Sequence, residues 1–238
     1  MKKKNLIVSL MLSLALFASA ITSVSAFTYS YPGFDGGVGK LESVERNIAG
    51  SQEQVVEKVA YQFNKEVAEG KYKLISTDEL KADMDAGRTM VIVDTMGGKL
   101  PAYNAIHIKG AIETWAPLYV TAKSAEGEKW NAESKQAFLN AVKAAVGTKT
   151  VTKYYNKKTK KWTTTKPAKK NIGKTKKATV VNKSKKVVVY CGFVGCGRSH
   201  EGAKLLVENG YTSVYRYGGG ISAWFDAGFP CEGEYVAQ

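Results

Sequence analysis

The segment from residue 187 to residue 210 constrains the fold of this chain most. It contains a β-branched run over residues 187–190, a loop with three glycines over 191–198, and a helical stretch from about Ser199 to Gly210. A short β-branched run that is bounded by turn residues is typical of a strand buried inside a parallel sheet. A strand that passes through a tight loop into a helix predicts an α/β domain.

Cys191 is the first residue of that loop. A thiol at the carboxyl end of a strand and beside a helix N-terminus faces unpaired backbone N–H groups and the positive end of the helix dipole. Both favour the thiolate, which is the nucleophilic form of cysteine. The alternative is a buried structural cysteine before an ordinary turn. The strand, the glycines, Arg198 and the helix occur together here, and the combination favours a reactive thiol.

Strands and helices alternate along the rest of the chain. Helical patterns are predicted over residues 52–69, 76–86, 131–146 and 222–227, and strands over 72–75, 90–94, from 110, and over 213–217. The second helix follows Ser76-Thr-Asp-Glu79, which has the spacing of a capping box. This order predicts an α/β fold with a parallel sheet covered by helices. Ligands of such sheets bind at the carboxyl ends of strands, where Cys191 and Asp94 lie.

The N-terminal residues 1–26 are typical of a secretory signal peptide. Lysines at positions 2–4 precede an apolar run from Leu6 to about Ile21 and small residues up to Ala26. An uncleaved anchor is the alternative, although the apolar run is short for a bilayer span of ~20 residues. We therefore expect an exported protein, either periplasmic or associated with the cell envelope. We expect an arm and a helix over residues 27–70, followed by one main domain over 71–238.

A basic insertion interrupts that domain at residues 148–186. It holds fifteen lysines and no acidic residue, so the rest of the chain has a net charge of −1. Residues 150–155 and 161–166 alternate as a β-hairpin would, with the turn at 156–160. Either the insertion binds an anionic envelope surface through its lysines, or it is a solvated charged loop without a partner. We do not expect nucleic acid to be a partner of an exported protein.

Short motifs spread along the chain in a fixed order resemble those of a rhodanese (sulfurtransferase) domain. They are Val91-Ile-Val-Asp94, Ala105-Ile-His-Ile-Lys-Gly-Ala-Ile112, Val188-Val-Tyr-Cys191, Arg198-Ser199, Gly219-Gly-Ile-Ser-Ala-Trp224 and Ala227-Gly-Phe-Pro230. The resemblance covers about residues 71–232. It implies a rhodanese-like parallel sheet flanked by helices, which the basic hairpin would interrupt.

The resemblance also implies a chemistry, in which Cys191 accepts sulfane sulfur as a persulfide and passes it on. The donor would be a small thiosulfate-like molecule and the acceptor a thiophilic one, with no cofactor and no metal. Arg198 would hold the anionic donor or else make a salt bridge at the domain surface. Asp94, His107 and Ser199 would support the loop. The loop residues that would surround the substrate are Gly192, Phe193, Val194, Gly195, Cys196, Gly197 and Arg198.

The chain departs from the family pattern at two positions. Six residues separate Cys191 from Arg198 where the family usually has four, and one of them is Cys196, a possible resolving thiol. Met96 stands where an arginine is common. Two alternatives therefore stay open: a non-catalytic binding module with a basic docking insertion, and a thiol–disulfide redox protein that uses Cys191 and Cys196. His200 is expected to be a solvent-facing or capping residue.

Overall fold

The computed structural model describes residues 52–97, 102–117 and 129–236. The predicted signal peptide and the arm that precedes residue 52 lie outside the described residues. Among the described helices, none is both long and apolar enough to cross a membrane.

The predicted α/β fold is confirmed, with a five-stranded sheet in the order β1-β9-β8-β2-β4 in which every neighbouring pair is parallel. Its strands are β1 (Lys73–Ile75), β2 (Met90–Asp94), β4 (Ile112–Glu113), β8 (Lys186–Tyr190) and β9 (Val214–Tyr217). The helices are α1 (Gln52–Gly70), α2 (Thr77–Asp85), α3 (Ala102–Ala105), α4 (Ala132–Val146), α5 (Arg198–Glu208) and α6 (Gly220–Asp226). A second, two-stranded sheet pairs β3 (His107–Ile108) with β10 (Cys231–Glu232).

The core of the domain lies on both faces of the parallel sheet. On one face Val188 packs with Leu80 of α2 and Trp224 of α6. On the other face Val187 and its neighbours pack with residues of α4 and α5, among them Phe138 and Leu206. Strand β8 is therefore buried on both sides, which is why its sequence reads as an unbroken apolar run.

The basic insertion forms a three-stranded antiparallel sheet in the order β6-β5-β7. We call it the basic sheet; its strands are β5 (Thr148–Asn156), β6 (Lys161–Thr163) and β7 (Ile172–Val181). The predicted hairpin is confirmed as β5 and β6. Strand β7 was not predicted, because lysines and threonines fill much of it and no clear apolar alternation marks it. The basic sheet ends at Val181, and Lys186, which the sequence placed inside the insertion, is the first residue of β8.

The capping box at Ser76 is confirmed. Its hydroxyl accepts a hydrogen bond from the Glu79 amide at 3.2 Å, and the Glu79 carboxylate accepts one from the Ser76 amide at 2.9 Å.

Ser76→Ala removes one side of this exchange, and we expect it to lower the free energy of unfolding by about 1 kcal/mol. Ser76→Thr keeps the hydroxyl and should retain most of that stability. Urea denaturation of both variants is the measurement, and equal losses in the two would contradict the capping role.

Candidate active site

The carbonyl groups at the start of the active loop, residues 191–197, are held by helix α6. The Ile221 amide donates to the Cys191 carbonyl and the Ser222 amide donates to the Gly192 carbonyl, each at 3.0 Å. Gly220 makes this approach possible. Its φ is +64°, and a Cβ at this position would lie 2.4 Å from the Cys191 oxygen. The first turn of α6 therefore fixes where the loop leaves β8.

Most of the predicted loop residues are buried. Cys191 is 1% exposed and Cys196 is fully buried, while Val194 stands at the tip of the loop with 42% exposure. Phe193 is partly buried against the core, and its carbonyl accepts a hydrogen bond from the Cys196 amide. The glycines at 192, 195 and 197 are buried. Cys191, Cys196 and Cys231 are all free thiols.

The sulfur of Cys191 lies between two polar groups. Its Sγ is 3.3 Å from the Cys196 carbonyl oxygen and 3.2 Å from the Ser199 hydroxyl. Burial opposes ionisation of this thiol. A hydrogen bond with the Cys196 side chain, the positive charge of Arg216, and the Ser199 hydroxyl and amide together outweigh burial and lower the pKa of Cys191. The site therefore favours a thiolate, as the strand–loop–helix pattern predicts.

The positive charge beside the sulfur comes from Arg216, a residue that the sequence analysis did not single out. Arg216 lies on β9 and is fully buried. Its Nε donates to the Ser199 hydroxyl and its Nη2 donates to the Cys196 carbonyl, each at 2.9 Å. One guanidinium therefore holds both polar neighbours of the Cys191 sulfur.

Helix α1 holds the other side of this guanidinium. The Nη1 of Arg216 donates to the Glu66 carboxylate at 2.6 Å and to the Tyr72 hydroxyl at 3.2 Å. The Phe63 ring lies 4.4 Å from the guanidinium carbon. In the sequence, Arg216 is marked only as a charged residue inside a short strand, Val214-Tyr-Arg-Tyr217. No local pattern indicates that Glu66 is its partner.

Arg198 is the first residue of α5 and is buried. It is 3% exposed, and its Nη1 donates to the Ala116 carbonyl at 2.6 Å. This bond ties the first residue of α5 to the segment after β4. The positive charge beside the Cys191 sulfur is supplied by Arg216, and the role of Arg198 toward a donor or in a salt bridge stays a prediction.

The expectation of a solvent-facing or capping His200 was wrong. His200 is fully buried, and its Nδ1 lies 2.9 Å from the Tyr72 hydroxyl. Burial lowers the pKa of His200 to about 4, which leaves the imidazole neutral near pH 7. The reason is tertiary, because α1 packs across α5 and covers the face on which His200 lies.

Asp94 lies at the carboxyl end of β2, opposite Tyr190 of β8. It is fully buried, and its Oδ1 accepts a hydrogen bond from the Met96 amide at 2.6 Å. Burial raises the pKa of Asp94 to about 7. Met96 packs in the same buried cluster as Cys191 and Cys196, so an apolar side chain fills the place where the family commonly has an arginine.

His107 lies on β3, which pairs with β10, and its supporting role stays a prediction. Its Nδ1 donates to the Tyr103 carbonyl at 2.7 Å, and its ring stacks on the Tyr103 ring with centroids 3.9 Å apart. Its Nε2 is 3.6 Å from the Glu232 carboxylate on β10. These contacts join α3, β3 and β10.

Two cavities flank the tip of the loop. One, of about 340 Å³, lies between Val194 and the Val56, Val59 and Phe63 side of α1. The other, of about 440 Å³, lies between Val194, Leu74 and the turn after β9. Within the described residues, no three histidine, cysteine or acidic side chains cluster as a metal site would require.

Comparison with known proteins places residues 76–227 in the family described as "Rhodanese-like domain". A search of curated proteins returned no match.

Several solved structures are similar to this chain. A thiosulfate sulfurtransferase from Pseudomonas aeruginosa is 17% identical with a TM-score of 0.43, and the match covers 74% of this chain and 23% of that longer one. A polysulfide-sulfur transferase homodimer from Wolinella succinogenes is 13% identical with a TM-score of 0.41, covering 78% and 95%. A Bacillus halodurans protein is 15% identical with a TM-score of 0.40, covering 76% and 88%.

The raised pKa of Asp94 predicts a pH-dependent loss of stability. The unfolded chain releases this proton from about pH 4 upward, while the folded protein keeps it until about pH 7. The contribution of Asp94 to stability therefore falls as the pH rises through that window. Asp94→Asn cannot ionise, so its stability relative to wild type should grow by up to a few kcal/mol between pH 4 and pH 7, since each pKa unit is worth about 1.4 kcal/mol.

Urea denaturation at several pH values measures this difference. The lowered pKa of His200 acts with the opposite sign, because the unfolded chain holds a proton there that the folded protein lacks. His200 has the same effect in wild type and in the Asp94→Asn variant. The difference in the free energy of unfolding between the two proteins therefore reports Asp94 alone. A difference that stays constant with pH would show that Asp94 is already ionised in the folded protein.

Proposed function

The chain belongs to the rhodanese-like domain family, and we propose that it is an exported sulfurtransferase that carries sulfane sulfur as a persulfide on Cys191. The observation that supports this most is the lowered pKa of Cys191 at the carboxyl end of a parallel strand. The Ser199 hydroxyl lies 3.2 Å from the sulfur, and the positive charge of Arg216 is close by. These groups stabilise a negative charge on sulfur, whether it is the thiolate or the terminal sulfur of a persulfide.

The proposed reaction has two displacement steps. The Cys191 thiolate attacks the outer sulfur of a thiosulfate-like donor; a new sulfur–sulfur bond forms on Cys191, and the old one breaks as its electron pair leaves with sulfite. A thiophilic acceptor such as cyanide then attacks the terminal sulfur. The bond to Cys191 breaks, its electron pair returns to Cys191 as the thiolate, and thiocyanate is released.

Access to the sulfur requires movement of the loop, because Cys191 is 1% exposed. Val194 is the exposed tip of that loop, and it borders both of the cavities beside it. We propose that the donor enters from this side when residues 192–195 move.

The assignment of Cys191 as the sulfur carrier is tested by intact mass. Reduced protein treated with thiosulfate should gain the mass of one sulfur atom, and cyanide should remove it. Cys191→Ser should abolish the gain. Cys196→Ser is the matched control, because it removes the other buried thiol of the loop, and it should keep the gain. A persulfide mapped to Cys196 or Cys231, or no gain in folded wild type, would contradict the proposal.

The basic sheet supports a second element of the proposed function. None of residues 148–181 is buried, although they form three strands. Twelve lysines and no acidic residue lie in this range. Lys153 and Lys176 stand directly opposite each other on β5 and β7, and like charges in that position destabilise a sheet. An anionic partner would neutralise this repulsion.

Aromatic residues share the face on which those lysines lie. Tyr155 pairs with Trp162 across β5 and β6, and the Lys176 ammonium lies 4.5 Å from the centre of the Trp162 ring. Beside them is a cavity of about 500 Å³, which is lined by Tyr155, Lys157, Trp162, Gly173 and Lys174. Lysines around an exposed tryptophan suit an interface with anionic lipid headgroups. We propose that the basic sheet docks the exported protein on such a surface of the cell envelope.

A deletion separates the two proposed activities. The Asn182 amide is 2.9 Å from the Gly147 carbonyl, so removing residues 148–181 leaves two ends that already meet. We expect the deletion to leave sulfur transfer within about twofold of wild type, because the basic sheet joins β8 at its amino end while the active loop is at its carboxyl end. Binding to phosphatidylglycerol vesicles, and its decrease with added salt, should be lost.

Two double variants provide the matched comparison. Lys153→Gln with Lys176→Gln should weaken vesicle binding, whereas Lys135→Gln with Lys143→Gln removes the same charge from exposed positions of α4 and should not. If a folded deletion protein loses sulfur transfer, the basic sheet contributes to the active site and the docking proposal is wrong. Equal vesicle binding by all variants would also reject it.

A further inference from the structure

We infer that Arg216 is a positioning residue for Cys191. Arg216 turns the Ser199 proton toward the sulfur and places a positive charge beside it. Glu66 of helix α1 holds Arg216 in this position. This inference rests on the proposed role of Cys191 as the nucleophile. Arg216 does not contact the sulfur itself in the described contacts. It acts through Ser199 and the Cys196 carbonyl.

The direction of the Ser199 proton follows from which groups can donate. The Nε of Arg216 is a donor only, so the Ser199 oxygen must be the acceptor in their 2.9 Å bond. The proton of Ser199 is therefore available to another acceptor, and the Cys191 sulfur lies 3.2 Å away. A thiolate at this position accepts that proton as a hydrogen bond. Arg216 thus turns Ser199 into a donor aimed at the nucleophile.

The second contact of Arg216 keeps the Cys196 carbonyl satisfied. While the sulfur is a thiol, it lies 3.3 Å from this oxygen and donates to it. The thiolate has no proton to donate, and an oxygen left without a donor in a buried site costs free energy. Because the Nη2 of Arg216 already donates to it at 2.9 Å, the oxygen remains paired after Cys191 ionises.

The charge of Arg216 acts at short range in a buried site. The two contacts through Ser199 place its Nε no more than about 6 Å from the sulfur, where an opposite charge favours the ionised form of a group. A buried guanidinium also requires a counter-charge, and Glu66, which is 1% exposed, provides it. Phe63 covers the guanidinium from the same helix.

Helix α1 is therefore part of the active site. It lies before residues 76–227, which match the family, and yet it supplies both Glu66 and Phe63. Because its residues hold the arginine that in turn holds Ser199 and the loop, α1 belongs to the structure that prepares the nucleophile.

Four titratable groups near Arg216, namely Tyr72, His200, Glu69 and Lys204, keep their charge where Cys191 is expected to titrate. Burial raises the pKa of Tyr72 to about 12 and lowers that of His200 to about 4. Glu69 and Lys204 form an ion pair at the surface side of α1 and α5, and this contact lowers the pKa of Glu69 and raises that of Lys204. A titration of the Cys191 thiolate between pH 5 and pH 9 therefore proceeds without a charge change in these four groups.

The test is the pKa of Cys191 in full-length protein that also carries Cys196→Ser and Cys231→Ser, so that one thiol remains. It is measured by the ultraviolet absorbance of the thiolate and by the pH dependence of alkylation with iodoacetamide. Arg216→Met should raise the pKa by about one unit or more, which is a tenfold lower thiolate population at pH values below both pKa values. Arg216→Lys keeps a charge without the two directed bonds and should show a smaller rise.

The sign of the Glu66 effect separates this inference from a purely structural role. Glu66→Gln removes a negative charge but keeps an amide oxygen that accepts the Arg216 hydrogen bond, so Arg216 stays in place and charged. The pKa of Cys191 should therefore fall or stay unchanged, although stability falls. If Arg216 and Glu66 only supported the loop, both substitutions would raise the pKa together. Glu69→Gln is the matched control, because it removes an ion-paired carboxylate from the same helix at the surface, and it should leave the pKa of Cys191 unchanged.

Ser199→Ala completes the test. It should raise the pKa, and combining it with Arg216→Lys should raise it by less than the sum of the two effects, because both act through one hydroxyl. If Arg216→Met does not fold, the Arg216→Lys, Glu66→Gln and Ser199→Ala measurements decide the question. An unchanged pKa in the Arg216→Lys and Ser199→Ala proteins, or a rise in Glu66→Gln, would overturn the inference. None of these measurements depends on sulfur transfer, so they stand apart from the test of the proposed function.

Discussion

The buried ion pair between Glu66 and Arg216 is the interaction on which the active loop depends. Both side chains are almost completely inaccessible, at 1% and 0% exposure, so removing either one leaves the other charge buried without its partner. The same guanidinium donates to Ser199 at the start of α5 and to the Cys196 carbonyl in the loop. One residue of β9 therefore joins the N-terminal helix, the helix after the loop and the loop itself.

The parallel sheet determines where this network can form. Strands β8 and β9 are neighbours and run in the same direction, with Val189 opposite Arg216 and Tyr190 opposite Tyr217. The residue that follows Tyr190 is Cys191, so Arg216 pairs with the residue two positions before Cys191. Helix α6 then returns from β9 and holds the Cys191 and Gly192 carbonyls with its first amides. Arg216 therefore holds the loop through the Cys196 carbonyl, and α6 holds it through the Cys191 and Gly192 carbonyls.

Local patterns in the sequence were sufficient to predict much of this. The unbroken apolar run of β8, the capping box at Ser76 and the order of strands and helices predicted the α/β fold and the position of Cys191. The Arg216–Glu66 pair was not predicted, because its two members are 150 residues apart and no local pattern joins them. The burial of His200 was missed for the same reason, since a helix from outside the main domain covers it. Strand β7 was missed because it lacks the apolar alternation on which strand prediction depends.

The basic sheet and Arg216 both bring positive charge to the domain. Their distance from Cys191 decides which of them affects the ionisation of its thiol. The basic sheet has twelve lysines, but it joins the domain before β8, and that five-residue strand separates its attachment from Cys191 by about 16 Å. Exposed charges at such a distance are largely screened at physiological ionic strength, where the Debye length is about 8 Å. Arg216 is one charge, but it is buried and lies within about 6 Å of the sulfur, where screening is weak. The ionisation of Cys191 therefore depends on Arg216 and its partner in α1 and not on the lysines of the basic sheet.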